Sequence, residues 1–268
     1  MKLLVVGAGE MGRWLAESLA THLDESPDVA FADTDPDAAA RAVEAVGGRT
    51  VPPASEERFD LVCLAVPIPA VESAIEMYAD RADRAMIDVS GVMGRPVAAM
   101  AASTPTVERL SLHPLFAAAN APGSIAAVVD APGPVADRVR AALEAAGNEV
   151  FETTPAKHDR AMETVQTKAH AAILAFGLAA DDVPEGFQTP ISEGLFDLLA
   201  EMTGNDPSVY SDIQATFDGS DEIADAARRL AAADAEEFER LYRAANPRTD
   251  ERGYEATGFN SETADPDR

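Results

Sequence analysis

Residues 2–14 read Lys2-Leu-Leu-Val-Val-Gly7-Ala8-Gly9-Glu10-Met11-Gly12-Arg13-Trp14. A short apolar run, the pattern of a buried strand, ends in Gly-x-Gly-x-x-Gly, and a helical pattern follows through about Leu23. Gly7 lets the strand turn sharply, Gly9 has no Cβ to hold a pyrophosphate off the backbone, and Gly12 lets the helix pack close to the strand. The helix N-terminus then offers free N–H groups and the positive end of its dipole to phosphates. The pattern predicts a dinucleotide clamp made by Gly7, Ala8, Gly9, Glu10, Met11 and Gly12, and so hydride transfer. The second strand, Asp28-Val-Ala-Phe-Ala-Asp33, ends 21 residues after Gly12 in an acid placed to accept bonds from the adenosine ribose hydroxyls. The charge of Asp33 repels a 2′-phosphate, so NAD is expected over NADP.

Outward from this clamp, strands and helices alternate. A helix over about 36–46 precedes a short strand at Arg49–Val51. Strands follow at 60–66, 85–89, 107–112 and 125–129, then a helix over 134–146 and a last strand at Glu149–Glu152. Near-continuous apolar strands between helices predict an α/β domain over 1–153: a Rossmann-type parallel sheet covered on both faces. After Thr154 no strand is legible. Helices are expected over about 155–178, 190–203, 206–217 and 220–245. They predict an all-helical domain over 154–245 that holds substrate and makes a homodimer. Polar residues with Gly, Pro and Asp suggest a disordered acidic tail from Asn246 to Arg268.

The charge balance is extreme. Against 47 acids stand 21 bases, for a net charge of −26. Only Lys2, Lys157 and Lys168 are lysines. Such an excess disfavours nucleic acid and anionic membrane as partners, and its spread along the chain suggests a surface adapted to strong salt. The lone cysteine, Cys63, lies in an apolar strand and reads as a buried thiol. No apolar run reaches membrane-spanning length, and the chain starts directly in a strand, so a cytoplasmic protein is expected.

Histidine is the usual general base near neutral pH, and the chain has four: His22, His113, His158 and His170. His22 ends the first helix. His113 follows the strand Leu110-Ser-Leu112, at the carboxyl end of the sheet, where open α/β sheets bind ligands. His158 and His170 stand 12 residues apart on one expected helix, about 120° out of phase. No metal-ligand spacing occurs, and no metal site is expected.

Several stretches together resemble the prephenate dehydrogenase family, especially its short archaeal members. They are Gly7–Trp14, Ala65-Val66-Pro67, Asp88–Val92 with Arg95-Pro96, Leu112-His113-Pro-Leu-Phe116, Thr154–Arg160 through Gln166 to His170, and Pro207–Ile213. The resemblance implies oxidative decarboxylation of prephenate to 4-hydroxyphenylpyruvate in tyrosine biosynthesis, with arogenate as the alternative substrate. It implies that His113 accepts the substrate hydroxyl proton, that Val66 and Pro67 flank the dinucleotide, and that His170 faces the substrate. It makes His158, with Asp159, a structural residue at a helix N-terminus. Three departures stand out. Gly91-Val92-Met93 replaces the family's Ser-x-Lys, whose serine bonds the histidine; Ser90, one residue earlier, is a candidate substitute. Phe116-Ala117-Ala118 replaces Phe-Gly-Pro. Glu201 stands near where the family carries a carboxylate-binding arginine, leaving Arg95, Arg160, Lys168 or a partner subunit's arginine to supply the cation.

Overall fold

The computed structural model describes residues 1–184 and 186–246. Its compact first unit spans Met1–Ser220, and a second unit begins at Asp221. The tail expected from Asn246 onward lies, apart from Asn246 itself, outside the described residues.

In the first unit, β1 (Lys2–Val6), β2 (Asp28–Ala32), β3 (Arg49–Thr50), β4 (Phe59–Leu64), β5 (Ala82–Asp88), β6 (Glu108–Pro114), β7 (Ser124–Ala131) and β8 (Glu149–Glu152) form one sheet. The strand order is β3-β2-β1-β4-β5-β6-β7-β8. Alternation along each strand builds two cores. On one face Leu3, Val5, Phe31, Leu61 and Ile87 meet α1 (Glu10–His22), α2 (Pro36–Val46) and α5 (Pro134–Ala145) through Leu15, Ala39 and Val135. On the other, Leu4, Val6, Val62, Leu64 and Met86 meet α3 (Val71–Tyr78) and α4 (Gly94–Ser103) through Val71, Ile75 and Met100. Each fully buried Leu, Ile, Val or Phe contributes roughly 1.5–3 kcal/mol by leaving water, so the sheet edge is set by a rigid scaffold. Cys63 is buried within it.

Three expectations about the elements need correction. The sheet is not wholly parallel: β7 runs antiparallel to β6, with His113 opposite Ala126. Only the nine residues Leu115–Gly123 join these strands, fewer than the dozen or more that a parallel crossover requires. The helix expected over 155–178 is also not regular. It consists of α6 (Pro155–Met162), a π-helical stretch at Glu163–Lys168 and α7 (Ala169–Ala179). The side-chain amide of Gln214 donates to the Thr167 carbonyl at 2.9 Å, which pins this wider turn. α8 (Pro190–Thr203) and α9 (Pro207–Thr216) follow.

α4 had no clear sequence signal. Its first amides are met by a distant carboxylate: Met93 N–H donates to Asp159 Oδ1 and Gly94 N–H to Asp159 Oδ2, both at 2.9 Å. Helix α9 docks through a small apolar cluster in which its Ile213 and the adjoining Phe217 meet Met162, Ile68 and Val92. The second unit carries α10 (Ser220–Ala232) from its second residue onward and α11 (Ala235–Ala244). The single helix expected over 220–245 breaks where Asp234 caps α11 by accepting from Glu237 N–H at 2.9 Å.

Candidate active site

Strands β1, β4, β5 and β6 are adjacent and mutually parallel, so their carboxyl ends share one edge. The order reverses between β1 and β4, the kind of switch point at which open sheets bind ligands. Gly7 turns the chain with φ +90°, and a Cβ there would strike the Ala65 carbonyl. A Cβ on Gly12 would strike the Gly7 carbonyl, so the helix can come this close only without a side chain. Gly9 is different: an added Cβ meets nothing within 4 Å. Open space there, over an α1 N-terminus with no side-chain cap, suits a phosphate pair. Val66 and Pro67 follow β4 beside this loop. The residues present therefore fit a bound dinucleotide.

Asp33 does more than end β2. Its Oδ2 accepts from the Ala8 N–H at 2.7 Å and its Oδ1 from the Asp35 N–H at 2.8 Å. The carboxylate is tied to the glycine loop and keeps lone pairs for ribose hydroxyls. Asp35 pairs with Arg41 at 3.4 Å, so the nearby cation is engaged by another acid.

Three strand spacings separate β1 from β6, on the order of 14 Å. At that far end His113 is buried, 6% exposed. Its Nδ1 lies 2.8 Å from His158 Nε2. His158 Nδ1 in turn lies 2.8 Å from Asp159 Oδ1. Burial, reinforced by His158 and opposed by Asp159, pulls the His113 pKa down to about 3, so the ring is neutral at ordinary pH. Burial pushes the Asp159 carboxyl up, but bonds from His158 and the Met93 and Gly94 amides outweigh this and hold it below the usual carboxylate range. The other ring nitrogen, His113 Nε2, faces Gly91: a Cβ added there would stand 3.6 Å from Nε2. A neutral imidazole with one nitrogen held from behind and the other facing this space can accept a proton.

Ser90 does not take over that position. Its hydroxyl lies 2.5 Å from Asp88 Oδ2 and 2.9 Å from the Val92 carbonyl, and it is buried. Successive residues on this loop point in different directions, so a one-residue offset carries the hydroxyl away from His113. Burial pushes the Asp88 carboxyl up to about 6, against bonds from Ser90 that lower it. Arg95 is not turned toward His113 either; it pairs on the surface with Glu72 at 3.3 Å. Glu201 is exposed on α8. Lys168 ends the π-helical stretch, and its stem lies over Gly219, where a Cβ would meet Lys168 Cε at 2.6 Å.

His170 stacks edge-on with Tyr210 of α9, ring centroids 4.9 Å apart. Burial lowers its pKa. Its Nδ1, with Gln166 Oε1 and Thr167 Oγ1, is a buried polar atom lacking a hydrogen-bond partner among the described residues. Three such atoms lie in or just after one π-turn, and π-turns recur at functional sites. The direct bond between His158 and His113 was missed by the sequence reading, which made His158 structural. The adjacent His-Asp pair was the only signal, and it cannot reveal a contact across 45 residues.

Dinucleotide-binding dehydrogenases are the class to which such a sheet edge belongs. Residues 2–91 match the family described as NADP oxidoreductase, coenzyme F420-dependent. The chain belongs to the prephenate dehydrogenase family. It is 30% identical over 242 residues to the 4-amino-4-deoxyprephenate dehydrogenase of Streptomyces pristinaespiralis, covering 81% of this chain and 78% of that protein. It is 27% identical over 173 residues to a probable arogenate/prephenate dehydrogenase of Methanocaldococcus jannaschii, covering 59% of this chain and 39% of that one. Its fold matches Aquifex aeolicus prephenate dehydrogenase, solved with hydroxyphenyl propionate and NAD+, at a TM-score of 0.68 and 19% identity, covering 91% and 96% of the two chains.

Proposed function

We propose that this dehydrogenase oxidatively decarboxylates prephenate to 4-hydroxyphenylpyruvate with NAD, in tyrosine biosynthesis. The observation that carries the reading is His113: a neutral, buried imidazole at the end of β6, three strands from the glycine loop, with Nε2 facing Gly91. A bound NAD supplies the hydride acceptor. Gly7, Ala8, Gly9, Glu10, Met11 and Gly12 hold the pyrophosphate, Asp33 the ribose, and Val66 and Pro67 the flank. His113 Nε2 takes the C4 hydroxyl proton as hydride leaves C4, and the electron pair of the breaking C1–CO2 bond completes the aromatic ring. His170 lines the substrate recess, and Lys168, two residues before it, is the proposed cation for a substrate carboxylate. Arg95, on the surface beside Glu72, is the other candidate.

NAD is preferred over NADP because Asp33 would face a 2′-phosphate and Arg41 is engaged by Asp35. Arogenate, differing only in the side chain remote from C4, is an alternative substrate. Gly91 favours a second reading, an amine at C4. Without the serine, no hydroxyl at position 91 stands beside His113 Nε2 to help select a hydroxyl substrate, and the Streptomyces relative bears the name of a 4-amino dehydrogenase. An assay of NADH formation in molar KCl, offering prephenate, arogenate and 4-amino-4-deoxyprephenate with NAD or NADP, tests all three; no turnover of any would overturn the proposal.

We also read the helical part as a homodimer surface. α7 is largely apolar around its circumference, yet its residues are only half-buried or exposed. Leu178, Phe187 and Ile191 are 89%, 77% and 80% exposed. Large apolar exposure of this kind marks an interface. The proposed compartment is the cytoplasm; among the described residues no helix is long and apolar enough to cross a membrane.

A further inference from the structure

We infer that Asp159, His158 and His113 form one hydrogen-bonded proton relay that fixes the tautomer of His113 and takes up the positive charge when its Nε2 accepts a proton. This rests on the reading of His113 as the base, and it adds two residues that act through it.

Asp159 accepts from Met93 N–H and Gly94 N–H as well as from His158, so it is held as an anion. An anion at 2.8 Å accepts only, so the Nδ1 of His158 must carry its hydrogen. In the proposed relay that is the only hydrogen on the His158 ring, so its Nε2 offers a lone pair 2.8 Å from His113 Nδ1, and His113 donates through Nδ1–H. Its own lone pair is left on Nε2, beside Gly91. The His158-Asp159 pair thereby dictates which nitrogen of His113, 45 residues before His158 in the chain, faces the substrate.

The relay also answers an energetic objection. His113 alone resists protonation because burial disfavours its cation, with a pKa of about 3. In the relay the substrate proton forms a bond to His113 Nε2, while the proton on His113 Nδ1 passes to His158 Nε2. The O–H bond of the substrate and the Nδ1–H bond of His113 break, and two N–H bonds form. The cation ends on His158, hydrogen-bonded to the Asp159 carboxylate at 2.8 Å, rather than on buried His113. The oxidant that accepts the accompanying hydride is an oxidised nicotinamide dinucleotide. His158 and Asp159 touch neither substrate nor cofactor and are positioning residues.

The test is ring-nitrogen NMR on the full-length protein at neutral pH, with kinetics of Asp159→Asn and His158→Asn. The relay predicts both His113 and His158 as Nδ1–H tautomers. Asp159→Asn puts an N–H donor among donors and should turn His113 to its Nε2–H form, with kcat down at least a hundredfold and the dinucleotide KM within threefold. If His158→Asn fails to fold, the wild-type tautomers and Asp159→Asn still decide. An Nε2–H tautomer of His113 in the wild type, or a folded Asp159→Asn protein with kcat within threefold, would overturn the relay. Expected tautomers with no turnover of any cyclohexadienyl substrate would sink the substrate reading and leave the relay supported.

Discussion

His113 shows how much of a residue's chemistry is set by what lies behind it. Its burial lowers the pKa well below the ordinary imidazole value of 6.5. Unfolding exposes a ring that binds a proton between about pH 3 and 6.5 while the folded ring does not. The His113 contribution to stability is therefore complete above the unfolded value and is lost as pH falls toward the folded one. Replacing His113 by Asn should flatten the acid limb of urea-unfolding free energy against pH in that window, by up to about 1.4 kcal/mol per pH unit for one proton. The same variant should lose about 10²–10⁴ in kcat while keeping dinucleotide affinity. Gly91 sets the other side of the ring. Gly91→Ser places a hydroxyl near Nε2 at the cost of a 3.3 Å contact with the flexible end of Ile68. One added hydrogen bond is worth about 1 kcal/mol, so the preference for a C4 hydroxyl over a C4 amine, read as a ratio of kcat/KM, should rise several-fold. An unchanged ratio would remove Gly91 from the account of specificity.

At the scale of elements, the β1–α1 turn separates binding from folding. A Cβ at Gly9 enters open space, so Gly9→Ala should leave Tm unchanged and weaken dinucleotide binding at least tenfold by calorimetry. A Cβ at Gly12 would enter the Gly7 carbonyl, so Gly12→Ala should lower Tm as well. This turn was legible in the sequence because its glycine spacing is local: Gly12 answers to the Gly7 carbonyl five residues before it, although Gly7 itself answers to Ala65 on the neighbouring strand. Asp33 and the carboxyl-edge position of His113 were legible for the same reason, through strand periodicity. The direction of β7 was not read from its apolar pattern, which looks alike in either direction; only the length of the connection limits it. The start of α4 was hidden because Asp159, 65 residues away, caps it. The π-turn depends on Gln214 bonding to Thr167, and the misplacement of Ser90 on a loop direction that no periodicity encodes.

For the whole molecule, a net charge of −26 on 268 residues is costly to hold together in dilute salt, because like charges repel. Tm should rise between 0.1 M and molar KCl; an unchanged Tm would end the salt-adapted reading. The apolar surface at Leu178, Phe187 and Ile191 should bring the protein through light scattering at twice its chain mass, and Ile191→Glu should shift it toward one. With Gly91 where the family resemblance places a serine, His113 is still proposed as the base and the glycine loop as the cofactor clamp. The most direct measurement is the rate of NADH formation from prephenate and NAD in molar KCl, wild type beside His113→Asn. The account predicts turnover by the wild type that falls at least a hundredfold in the variant with NAD affinity unchanged; equal rates in the two proteins would contradict it.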